Sequence, residues 1–229
     1  MSESESNKPK SEGGGCFSKL LLLILLAAAV GLGAAIYYAI IPQEGYDATA
    51  KKLPERDISV VLKNSIDRGY AVTLSEEEIN QWLGRVLVAK QDGLLAEQVK
   101  FDRVWVRLEE GVAEVVMQRS LLGKPFTVSM FVQVERVESA DGVGTNILLH
   151  GGPYHADLLR PPRGGRFGHL VVPQGFLILV MPAYEKLAAL FTEEIDLAFS
   201  QMARIRLEDD KLVLDPREPL GAGGLPESF

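Results

Sequence analysis

Three histidines and three arginines share one stretch of the chain, HGGPYHADLLRPPRGGRFGH: His150, His155, His169, Arg160, Arg163 and Arg166. Imidazole is a common metal ligand, but zinc needs three or four ligands that converge in space. This spacing matches no familiar metal pattern, and the single cysteine, Cys16, is far away in sequence. The histidines therefore read as loop residues, with no metal or cofactor expected. Guanidinium forks suit phosphate and carboxylate, and only Asp157 offsets the three arginines in a chain of net charge −7. They fit either a basic rim for a lipid headgroup or the ordinary charge of an exposed loop. Of the acids, Glu76, Glu77 and Glu78 follow Ser75. Ser75 with Glu78 three residues on is a capping box, and acids suit the positive end of a helix dipole, so this triplet reads as a helix start rather than a cation site. Glu193, Glu194 and Asp196 read as one solvated helix face. The chain has no GxSxG, HExxH, GxGxxG or P-loop, and GGRFG and GAGG lie between no clear strand and helix. No enzyme is expected, and the net negative charge disfavours nucleic acid as a partner.

These residues must be positioned by a chain with one conspicuous feature near its start. KLLLLILLAAAVGLGAAIYYAII, residues 19–41, is apolar and uncharged after Lys19. As a helix it is long enough to cross a hydrocarbon core of about 30 Å. Tyr37 and Tyr38 suit the membrane interface, and Pro42 ends the run. The run exceeds the apolar core of a cleaved signal peptide and is followed by no clean cleavage site, so an uncleaved transmembrane helix is expected. Lys19 abuts the helix after a short leading segment, which favours a cytoplasmic N-terminus and an extracytoplasmic domain. Ala27, Gly31, Ala35 and Ala39 form a small-residue stripe of the kind that lets two such helices pack as a homodimer. Residues 1–18 read as a disordered cytoplasmic tail, 42–57 as a juxtamembrane linker, 58–216 as the domain and 217–229 as a disordered tail.

Within the domain, RGYAVTL reads as a short strand. Ile79, Trp82, Leu83, Val86 and Leu87 then mark the apolar stripe of a helix packed on a sheet. Alternating segments follow: VKFDRVWVRLEE with a phase shift at Asp102–Arg103, GVAEVVMQRSL, PFTVSMFVQVERVE and TNILLHG. They predict an antiparallel meander buried on one side, with Phe126, Val128, Met130, Val132 and Val134 on the inner face. After the Gly/Pro/Arg loop and LVVPQGFLILVM, Pro182 opens a helix whose apolar face carries Tyr184, Leu187, Leu190, Phe191, Ile195, Leu197 and Ala198. RIRLED and KLVLDP predict a final hairpin through Asp209–Asp210. The fold class is α+β: an N-terminal transmembrane helix, then an antiparallel, curved sheet packed against two or more helices.

A membrane anchor, VTLSEEEINQWL, a sheet, FGHLVVPQGFL, an amphipathic helix and ARIRLEDDKLVL occur in that order. Over roughly Tyr70 to Leu214 the chain resembles the YpmS-like membrane-anchored proteins and, more distantly, the YceB-type lipoproteins. The resemblance implies a domain like half of a tubular lipid-binding fold, with these motifs structural rather than catalytic.

Together these readings predict a membrane-held domain that binds a lipid or other amphipathic ligand between sheet and helices. Trp82, Leu83, Phe176, Ile178, Leu187 and Phe191 are the candidate apolar wall, and Arg160, Arg163 and Arg166 the candidate rim. The same apolar residues fit a plain core, and then the domain is a scaffold or interaction protein of the membrane or cell envelope.

Overall fold

The computed structural model describes residues 15–46, 54–91, 101–121, 123–139, 142–148 and 163–217. The chain divides into two units, Met1–Tyr38 and Ala39–Phe229. Helix α1 (Gly15–Ile40) lies in the first except for its last two residues, and Phe17–Ile40 is long and apolar enough to cross a membrane, with mean hydropathy 2.6.

The second unit is α+β, with every strand pair antiparallel. It opens with a helix absent from the expected order, α2 (Ile58–Arg68). Asp57 accepts a hydrogen bond from the Ser59 N–H at its start, and Gly69 closes it with φ 63°, a backbone that favours glycine. Ile58, Leu62 and Ser65 give it a buried stripe at helical spacing. Strand β1 (Val72–Ser75) and helix α3 (Glu76–Gln91) follow as expected. The capping box is present: the Ser75 N–H donates to Glu78 Oε2 at 2.9 Å, and the Glu78 N–H donates to Ser75 Oγ at 3.2 Å.

The meander comprises β2 (Arg103–Glu109), β3 (Val112–Leu121), β4 (Lys124–Ser139) and β5 (Gly142–Leu148). The stretch read as a loop contains a strand, β6 (Arg163–Phe167), which turns at Gly168–His169 into β7 (Leu170–Pro173). The strands form two sheets rather than one. The larger has the order β2-β3-β4-β6-β7, with β5 paired to β4. The smaller joins β1 to the final hairpin of β8 (Arg204–Glu208) and β9 (Lys211–Asp215). That hairpin turns at Asp209–Asp210 as expected, with Asp210 at φ 60°.

A 3₁₀ helix, Gln174–Leu179, leads from β7 into α4 (Met181–Leu190). The expected long helix is broken at Phe191, resumes as α5 (Thr192–Ile195) and widens into a π turn at Asp196–Ser200. The break and the wider turn keep Tyr184, Leu187, Phe191, Leu197 and Ala198 all buried. They join Trp82, Leu83, Leu87, Val104, Met117, Val128 and Met130 in one core on the helix-covered face of the larger sheet. Tyr184 pins α4 there, its hydroxyl lying within hydrogen-bonding distance of the Val115 and Val128 carbonyl oxygens, at 2.9 and 3.2 Å.

The opposite face of that sheet was expected to meet water. Thr127, Ser129, Phe131, Val116 and Trp105 on it are nevertheless buried. The segment 42–46, expected to be linker, folds over this face: the Gln43 N–H donates to Thr127 Oγ1 at 2.8 Å and Gln43 Nε2 to Ser129 Oγ at 3.3 Å. Polar strand positions could be buried here because a neighbouring segment supplies their hydrogen bonds.

Candidate functional site

Cross-strand register places Arg107 of β2 beside Glu114 of β3, and Ser129 of β4 beside Arg166 of β6, on the same sheet face. Glu114 is only 3 % exposed. Arg107 Nη1 donates to Glu114 Oε2 at 3.1 Å and to Gln43 Oε1 at 2.6 Å, and Arg107 Nη2 donates to the Glu44 carbonyl at 2.9 Å. Arg166 Nε lies 3.5 Å from Glu114 Oε1, an ion-pair distance, and its guanidinium rests 5.4 Å from the Phe131 ring centre. Gln43 is itself buried. At the hairpin turn His169 Nε2 lies 3.2 Å from the Pro42 carbonyl oxygen. That oxygen can only accept, so the ring donates. The result is a strap, Pro42–Tyr46, held over a buried carboxylate and its two arginines. Removing the arginines would leave Glu114 buried without compensation.

Arg166 is thus an ion-pair partner in a strand rather than part of a free rim. Arg163 lies in β6 with its side chain outside the described residues, and Arg160, His150 and His155 lie outside them altogether. Among the described residues no three His, Cys, Asp or Glu side chains gather as metal ligands would.

The candidate wall divides in two. Trp82, Leu83, Leu187 and Phe191 are buried in the common core. The Trp82 and Phe191 rings meet at 5.5 Å between centres. Lys90 Nζ lies 4.8 Å from the Phe191 ring centre, and it donates to the Leu190 carbonyl at 2.7 Å and pairs with Glu194 at 3.0 Å. These four wall residues belong to one buried cluster. Phe176 and Ile178 point outward instead, 51 % and 75 % exposed, as does Leu179 at 74 %. Between them Leu177 is buried. Its seat depends on Gly165 of β6, where a Cβ would lie 1.9 Å from the Ser129 carbonyl oxygen and 3.2 Å from Leu177 Cδ2. With about three residues per 3₁₀ turn, one apolar side chain of the run faces in and its neighbours face out.

Two further residues act within the stretch read only as a helix start. Asn80 is buried, donating from Nδ2 to the Val106 carbonyl at 2.8 Å and accepting the Val106 N–H at 2.7 Å. Glu76 Oε2 accepts the Leu108 N–H at 2.7 Å, and the Asp210 N–H donates to the Leu108 carbonyl at 3.2 Å. These groups satisfy Val106 and Leu108 on the outer side of β2, an edge of the larger sheet, and so hinder its use as a template for another strand. Burial pushes the Glu76 carboxyl above its ordinary value, against the opposing Leu108 hydrogen bond. The four-residue spacing of Glu76 and Asn80 was visible, since it puts both on one helix face. Their partner strand was not. Gln43 carried no signal, and Glu114 carried only the oddity of an acid within VAEVVM.

The chain matches no family model, and no curated protein matches it.

Proposed function

We propose that α1 anchors the chain as a single-pass membrane protein, with residues 1–18 in the cytoplasm and the α+β domain outside. In this reading the domain is a non-enzymatic scaffold or interaction module of the membrane or cell envelope. The observation that carries it is the contact of Trp82 with Phe191, 5.5 Å between ring centres, beside buried Leu83 and Leu187. Burial of these four among the six candidate wall residues supports a packed core, whereas a ligand pocket leaves room its own side chains do not fill. A domain packed in this way works through its surface. The stripe Ala27, Gly31, Ala35 and Ala39 is the face through which two anchors would pair.

A second reading keeps the lipid or amphipathic ligand bound between sheet and helices. It is favoured by Phe176 and Ile178, whose exposed side chains are free to line an acyl chain. Native mass spectrometry of the full chain released from detergent separates the two. The scaffold reading expects the mass of the bare chain. One lipid retained per chain would overturn it in favour of the groove, and loss of that lipid in Phe176→Ser would place the contact.

A further inference from the structure

Only Ile41 separates the end of α1 at Ile40 from Pro42, whose carbonyl already meets His169 at the β6–β7 turn. Successive Cα atoms are about 3.8 Å apart. If α1 spans a bilayer, as proposed above, covalent reach alone keeps this turn close to where the chain emerges. Strand β7 starts at that turn and is an edge of the larger sheet. Its four residues cover only about 13 Å, and the 3₁₀ helix follows directly. Val171, Phe176, Ile178 and Leu179 are exposed along this edge. No charged residue occurs from Leu170 to Tyr184. Elsewhere among the described residues of the domain the exposed large apolar side chains are Val60, Tyr70 and Val88, which lie apart in sequence.

We infer that the edge formed by β7 and the 3₁₀ helix docks on the bilayer that holds α1, with Phe176, Ile178 and Leu179 entering the interfacial layer of the lipids. Clustered apolar side chains without charge mark a surface that meets another phase or partner. Here the strap selects the bilayer over a soluble partner, because it fixes the neighbouring turn within a few residues of the span. Gln43 is bonded to Thr127, Ser129 and Arg107, so residues 42–46 belong to the domain and do not lengthen its tether. Insertion then adds a second point of contact to the single covalent one.

The test uses the full chain in phosphatidylcholine–phosphatidylglycerol nanodiscs. Cys16, the only cysteine, is replaced by serine, and an environment-sensitive fluorophore is attached at Ile178→Cys, Leu25→Cys or Val60→Cys in turn. Lipids carrying nitroxides at known depths report proximity to the bilayer. The expected result is strong quenching of the label at 25, shallow but clear quenching at 178, and a several-fold smaller effect at 60 on α2. If 25 is quenched while 178 behaves like 60, the docking inference fails and the anchor reading survives. A label at 178 that is shielded from water but unquenched by lipid also overturns the inference, because a second copy or another protein then covers the edge. If 25 itself is unquenched, the anchor reading fails and takes the inference with it.

Discussion

Asp215 ends β9 between Arg204 and Arg217, accepting from Arg217 Nε at 2.9 Å and from its N–H at 3.0 Å. The Arg217 side chain above all, with Arg204 adding to it, holds this carboxyl well below the ordinary aspartate value of 3.8. A depressed folded-state value contributes stability above about pH 4, and that contribution is lost as pH falls through the folded value. Glu76 has the opposite sign. Burial raises it above 4.5, so its contribution is present below that value and is lost as pH rises through the folded one. Thermal unfolding across pH 2 to 7 should therefore show Asp215→Asn flattening the acid limb. Glu76→Gln, which keeps an acceptor for Leu108, should gain relative to the natural chain as pH rises above about 4.5. An unchanged acid limb in the first variant would contradict the assignment to Asp215. Among residues, those that act on near neighbours were legible: Ser75 and Glu78 are three apart and announce their pairing. Glu114, Gln43 and Asn80 were not, because their partners arrive from distant strands and no local spacing encodes them.

At the level of elements, apolar periodicity identified α3, the apolar face of the α4 region, the meander and the last hairpin. It failed where a strand departs from simple alternation. RGGRF offers two glycines and two arginines, yet it pairs as β6 because Gly165 lets it approach β4 closely. Phe176 and Ile178 were expected to wall a groove or fill the core, but the 3₁₀ turn leaves both exposed and buries Leu177 between them. Helix α3 does more than cover a sheet, since its Asn80 substitutes for a strand neighbour of Val106. Asn80→Leu would leave a donor and an acceptor of β2 without partners, at a cost of about 1–3 kcal/mol. It would also open an edge to other chains. Urea unfolding gives the first quantity, and light scattering at rising protein concentration gives the second. A variant as stable as the natural chain and equally dispersed would show that the edge is protected by other means.

For the whole molecule, the α+β class was readable from the order of the patterns, but the division into two sheets was not. Nothing near Val72 announces that it pairs with Leu214, and nothing near Gln43 announces that it lies on Thr127 and Ser129. The strap means that a piece beginning at Ile58 lacks part of its own fold, and that the domain starts where α1 ends. Chains truncated just before Lys211 lose β9, which leaves β1 and β8 without their shared neighbour. They should lose cooperative unfolding in calorimetry, whereas truncation after Arg217 should preserve it. The same pairing sets a timetable for biosynthesis. Strand β1 waits for β9, so the growing chain must carry an unpaired β1 until Lys211–Asp215 has left the ribosome. At about 5–20 residues per second that is a delay of several seconds or more. If α1 spans a bilayer, as proposed, the already synthesised helix has that interval in which to insert, and the domain would close afterwards at the bilayer.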